Sequence, residues 1–172
     1  VLTEENRELL QNFWQSKMVA NLSDEARERL DDAYPVIVHA LLAHQEQQQL
    51  ANTALPRLIS LLEAICRRSI YLVMIAENPN ATIELIPMLS ASPWIAKELA
   101  QYPVLLDTFL QQRYRHLPDK RELRDILRQQ LLRVEPNDEE ELLSVLRLFK
   151  KNQVLAVAAS DVLAERPIMK VS

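Results

Sequence analysis

The chain has 172 residues, 48% of them apolar and 26% charged, and a net charge of -4, which excludes a disordered segment and argues against a general nucleic-acid or membrane-surface binder. It contains no glycine, where average usage of about 7% would supply roughly a dozen. Without glycine the backbone has no residue suited to phosphate-cradling turns, so a P-loop, a dinucleotide fingerprint and a hydrolase nucleophile elbow are all unavailable.

Helix signals run along the whole chain, and most of the nine prolines fall where a helix should begin or end. Thr3, followed by Glu4 and Glu5, predicts an N-cap and a helix to about Val19 carrying Leu9, Leu10, Phe13, Trp14 and Met18. Ser23-Asp24-Glu25 opens a second, whose apolar face passes through Leu30, Tyr34, Ile37 and Leu41; Pro35 is expected to break or kink it near Ala33. Gln45 to Gln49 reads as an exposed helix end or loop. The most apolar segment predicts one long central helix from Thr53 to Glu77, with Leu58, Leu62, Ile65, Ser69 and Leu72 on one face.

Asn78-Pro79 then predicts a cap and first helical position for a helix to about Leu89. Ser92-Pro93 does the same for a helix to Gln101, and Pro103 opens another through Val104 to Leu110. A charged amphipathic helix is expected over about Asp119 to Arg133, with Leu123, Ile126, Leu127 and Leu131 on its apolar side. Four consecutive acids, Asp138 to Glu141, favour the start of a last helix to about Ala164, because the helix dipole stabilises negative charge there. No strand pattern bounded by hairpin turns and no repeat of fixed period occurs, so the fold class is all-α: a compact multi-helix bundle with a long C-terminal helix. In domain terms the chain divides into N-terminal helices over 1–50, a central helical body over 51–134 and a connecting long helix over 135–172.

Candidate chemistry is sparse. His39 and His44 are five apart, which does not suit a metal pair on one helix face, so no metal site is expected. Cys66, the single cysteine, lies in an apolar run and reads as a buried reduced thiol, which fits a cytoplasmic protein. No stretch is long and apolar enough for a membrane span. There is no Asp-x-Asp pair for divalent metal chemistry, and the acids at 31–32 and 139–141 read as solvated helix faces. Glu63 and Arg67, four apart, are expected to form a helical ion pair. Arg113, Arg115, Lys120, Arg121, Arg124 and Arg128 gather around one loop and its following helix, and Arg67 with Arg68 interrupts an apolar segment. Arg67, Arg68, Arg113, Arg115, Arg121 and Arg124 are therefore the candidate contacts for an acidic partner or a neighbouring domain, against the plainer reading of a solvated face balanced by Asp119, Glu122 and Asp125. No catalytic or cofactor-binding residue is assigned.

Three stretches carry a resemblance. RLISLLEAICRRSIYLVMIAENPNA (Arg57 to Ala81), MLSASPWIAKELAQYPVLLDTFL (Met88 to Leu110) and LRLFKKNQVLAVAASDVLAERPIMKVS (Leu146 to Ser172) resemble, in order and at compatible spacing, the segment preceding the second catalytic module of bifunctional glutamine synthetase adenylyltransferases. Residues 1–50 match loosely, through LSDEARERL. The resemblance implies a large cytoplasmic enzyme with two nucleotidyltransferase halves. One transfers AMP from ATP to a tyrosine of glutamine synthetase; the other removes it by phosphorolysis, under control of glutamine and PII signalling proteins. In that family glycine-rich and paired-aspartate motifs, with magnesium, carry the chemistry. Neither motif occurs here, so the resemblance implies a helical regulatory or linker segment without catalysis of its own, adjoining nucleotidyltransferase domains outside it. Val1 in place of a methionine, and the stop soon after Pro167-Ile168-Met169, fit a chain with cut ends. The alternative from another class is a free-standing all-helical adaptor that takes partner helices in a groove.

Overall fold

The computed structural model describes residues 2–164, and all regular structure among them is helical. The expected stop after Pro167-Ile168-Met169, and the last part of the third matched stretch, lie outside the described residues. No described helix is long and apolar enough to cross a membrane.

Capping residues set most of the boundaries. Helix α1 (Glu4–Trp14) starts where Thr3 Oγ1 accepts the Asn6 N–H at 3.2 Å. The expected continuation to Val19 does not form: Ser16 caps a separate short helix, α2 (Lys17–Ala20), by accepting the Val19 N–H. A serine in mid-segment can satisfy a helix start as readily as continue a helix, and here it starts one. Ser23 caps α3 (Asp24–Leu42) as expected, but Pro35 neither ends nor splits it. Pro35 is exposed, so the backbone bond it forgoes lies on the water side. Leu30, Ala33, Ile37 and Leu41 are fully buried on either side of it and hold the helix together.

A 3-10 turn (Gln45–Gln47) leads into α4 (Gln48–Ile65), whose first two residues, Gln48 and Gln49, are exposed, in line with the glutamine-rich helix end expected there. The single central helix to Glu77 is a misreading: α4 stops at Ile65, and α5 (Ser69–Glu77) begins after Arg68 leaves helical geometry at φ -117, ψ 83. The break has a physical reason. Ile65, Cys66, Leu72 and Ile75 are all fully buried, while Arg67 and Arg68 between them are exposed. A turn delivers both guanidiniums to water where a continuous helix would carry them through the core.

Proline and serine then punctuate as predicted. Pro79 takes the first position of α6 (Pro79–Ala91), but the Asn78 side chain expected to cap that helix makes no cap hydrogen bond to it and turns back to the preceding helix, its Nδ2 donating to Met74 O at 2.8 Å. Ser92 caps α7 (Pro93–Gln101), and Pro103 precedes α8 (Val104–Leu110). After a second 3-10 turn (Arg113–Arg115), Asp119 and Glu122 form a capping box that opens α9 (Lys120–Leu131). Helix α10 (Glu139–Ala164) follows, 26 residues and about 39 Å long. Two positions take positive φ without glycine, Gln112 at 56° and Asn137 at 78°. Asparagine tolerates this better than most residues; glutamine at such an angle costs about 1–2 kcal/mol.

One core unites the chain from Leu10 to Ala159. Helix α3 lies against α5 and α6, α4 against α6 and α7, and α1 against α4. The second half of α10 docks on α6, α8 and the second 3-10 turn, burying Leu155, Ala156 and Ala159. Helix α9 buries no residue and packs chiefly on α10, so α9 and the first part of α10, 139–147, form a hairpin standing off the body.

Candidate functional site

The charged chemistry inside the fold concentrates where α10 and the second 3-10 turn meet α6 and α7. Glu84 projects from α6 with 9% of its surface exposed. The Tyr114 hydroxyl and the Gln112 amide donate to its Oε2, the latter at 3.3 Å, and Arg115 donates to Oε1. The left-handed turn at Gln112 is what brings these three residues back toward α6, so its conformational cost is offset by the contacts it permits. Tyr114 is itself buried and stacks on Phe109 of α8, with ring centroids 5.0 Å apart. Burial pushes the Glu84 carboxyl above its ordinary value of 4.5, and the opposing pull of Arg115 and Gln112 is the weaker influence.

A second carboxylate ties α10 directly. Lys151 Nζ lies 2.5 Å from Glu98 Oε2 of α7 and 4.4 Å above the Tyr102 ring. Glu98 is 8% exposed, so the ammonium compensates a charge withdrawn from water, and the ring face adds a cation–π contact. Next to Lys151 on α10, Asn152 Oδ1 is buried without a hydrogen-bond partner among the described residues. Helix α10 is thus keyed to the body by Lys151, with the Glu84 cluster fixing the turn on which it rests.

The arginines singled out in the sequence do not gather into one site. Arg115 is brought onto Glu84, and Arg113 donates twice to the Gln111 side chain, at 2.7 and 3.0 Å. Arg121 and Arg124 lie exposed on α9 with no carboxylate in ion-pair range among the described residues. Arg67 and Arg68 sit exposed in the α4–α5 break. The expected Glu63–Arg67 helical pair does not form among the described residues, because α4 ends at Ile65 and Arg67 is no longer a helical neighbour four residues on.

Cys66 is fully buried, and desolvation raises its thiol above the ordinary 9.0, with nearby Arg67 opposing more weakly. Among the described residues no three His, Cys, Asp or Glu side chains gather to hold a metal ion. An open cleft of about 510 Å³ is lined by Arg57, Ser60, Lys97 and Gln101, but Arg57 is already engaged, donating to the Leu89 and Ser90 carbonyls at the end of α6. Glu84 and Glu98 were missed in the sequence. The available signal was Glu84 as the one charge in the run Ala81 to Leu89, which calls for a buried partner.

A family model described as glutamate-ammonia ligase adenylyltransferase matches residues 82–172. Over all 172 residues the chain is 48% identical to the bifunctional glutamine synthetase adenylyltransferase/adenylyl-removing enzyme of Acinetobacter baylyi, of which it spans 18%. It is 41% identical over 170 residues, 98% of its length, to the protein of the same description from Hahella chejuensis, of which it spans 17%. The chain therefore covers less than a fifth of the length of these relatives.

Proposed function

Because this chain belongs to the glutamate-ammonia ligase adenylyltransferase family, we propose that it is the helical regulatory or linker segment of an enzyme that adenylylates and deadenylylates glutamine synthetase. The reaction moves AMP from ATP to a tyrosine of glutamine synthetase, and phosphorolysis removes it. In this reading ATP and Mg2+ belong to nucleotidyltransferase domains outside the 172 residues, and the protein works in the cytoplasm. A chain without glycine or an Asp-x-Asp pair supplies neither a phosphate-cradling turn nor a paired-acid metal site, which supports a non-catalytic role.

The observation that carries the mechanical part is the asymmetric docking of α10. From Leu148 onward it is keyed to the body, through Lys151 and Glu98 and by burial of Leu155 and Ala159. Its first part, 139–147, and α9 stand clear. A rigid helix held at one end transmits a shift of the body as a larger displacement further along. Partner binding at the body would thereby reposition whatever packs against α9 and α10. Glutamine synthetase and a PII signalling protein are the proposed partners, and the exposed Arg67, Arg68, Arg113, Arg121 and Arg124 are the proposed cationic contacts for them or for an adjoining domain.

The test is an adenylylation assay of this chain with ATP, Mg2+ and glutamine synthetase, in which no AMP transfer is expected. Clear transfer would sink the non-catalytic reading. Calorimetry against PII and against glutamine synthetase separates a regulatory segment, which releases heat with at least one of them, from a plain spacer, which at high micromolar concentration does not.

A further inference from the structure

Helix α10 has two apolar faces. Leu155, Ala156 and Ala159 face the body, and at about 100° per residue their mean direction lies nearly opposite that of Leu143, Leu146, Val154 and Val157. These four fall within an arc of about 80° and are 56%, 37%, 42% and 50% exposed. A helix apolar on opposite sides is one that packs between two partners. In the described structure the body covers the first face, while these four side chains stay exposed beside α9.

The charges on the outer face say what the second should be. Lys150 stands at the middle of the stripe, with Leu146 and Val154 four residues to either side and Leu143 and Val157 seven to either side. Glu139 and Asp161 close it eleven residues away at each end, all three charged residues being exposed. The stripe reads acid, two apolar, base, two apolar, acid, with a 4-3-4 spacing that repeats after eleven residues and so keeps the seam nearly straight. This symmetry disfavours a second copy of the chain. Antiparallel pairing about Lys150 would match apolar with apolar, but it would set Lys150 against Lys150 and Glu139 against Asp161 twice. Parallel pairing also opposes like charges at all three levels. A stripe of the inverse code, with an acid at its centre and bases about 16 Å to either side, meets every position.

We infer that the outer face of α10 is an interdomain seam, covered by an apolar helical face of inverse charge pattern from a neighbouring domain of the same polypeptide. The relatives are more than five times the length of this chain, which leaves ample protein to supply that domain. The inference rests on the reading above that the chain is one segment of a longer enzyme, and it makes α10 a helix shared between two units.

The test is maleimide labelling of Leu143→Cys and Val157→Cys, in the 172-residue chain and in the longer enzyme carrying the same substitutions, with the labelled position read by peptide mass. Both positions are exposed, and unchanged circular dichroism of each variant establishes that folding is intact. Cys66 is fully buried and adds little background. The seam predicts labelling slowed by at least about tenfold in the longer enzyme. Adding Lys150→Glu there should restore the faster rate, since it sets a carboxylate against the partner's acid. Equal rates in the two proteins overturn the seam. Slowing in the 172-residue chain that grows with its concentration overturns it in favour of a second copy. Neither result depends on AMP transfer, so failure of the seam and failure of the non-catalytic reading are separately visible.

Discussion

The helical body and the α9–α10 hairpin are built from similar leucine-rich amphipathic sequence, yet they end in opposite states. In the body Leu30, Leu41, Leu55, Leu61 and Leu62 are fully buried, whereas in the hairpin Leu132 is 79% exposed, Leu143 56% and Ile126 39%. Periodicity determines that a helix forms and which side is apolar; it does not say whether the covering surface lies within the same 172 residues. The body carries its own partners. The hairpin carries an excellent start signal, the Asp119–Glu122 capping box, and little of its own to pack on.

The largest expected effect breaks the body. Leu62→Ala, in the last turn of α4 where it faces the core, should cost about 2–5 kcal/mol through lost transfer energy and the cavity left behind. Denaturant unfolding followed by circular dichroism reads it directly. A cost well under 1 kcal/mol would mean that α4 is not part of one cooperative core.

An intermediate effect is expected where the body meets α10. Glu84→Ala leaves Tyr114 buried without its acceptor and removes the partner of Arg115 and Gln112. Arg115 is half exposed and recovers part of its loss in water, so the cost should be about 2–3 kcal/mol. Glu84→Gln sharpens the origin of that cost through pH. A carboxyl raised above 4.5 in the folded state holds its proton more tightly there than in the unfolded chain. Its stabilising contribution is fully present below 4.5 and is lost as pH rises through the folded value. The stability of the native chain should therefore fall relative to that of Glu84→Gln as pH is raised from 4.5. A difference that instead grows with pH would show that the Arg115 ion pair outweighs burial.

Much of this was legible from local chemistry. Thr3, Ser23 and Ser92 each cap the helix expected of them, and Pro79 takes the first helical position assigned to it. These signals act within about one turn and need nothing from the rest of the chain. One error was itself local, Ser16 opening α2 where the first helix was expected to run on to Val19, and the others arose where packing overrides local preference. Pro35 is carried inside α3 by the burial around it, and the α4–α5 break exists because Arg67 and Arg68 must reach water beside residues that must not. The Glu84 cluster was illegible for a related reason. Tyr114 and Arg115 lie 30 and 31 residues from Glu84, and only the left-handed Gln112 turn closes that distance. The arginine cluster in the sequence was real as composition, but Arg115 spends its charge inward while Arg121 and Arg124 keep theirs in water.

The smallest expected effect tests the hairpin. Leu132→Ser, at the end of α9, removes a side chain that is already mostly in water, so unfolding free energy should change by no more than about 0.5 kcal/mol in the 172-residue chain. The contrast with Leu62→Ala is then at least about fourfold between two leucines on amphipathic helices. If Leu132→Ser costs more than about 1 kcal/mol, the hairpin is folded against something in this chain, and the division into a self-sufficient body and an uncovered hairpin fails. A near-zero cost leaves a leucine whose burial contributes nothing to this chain's own stability, as a surface covered by another domain requires.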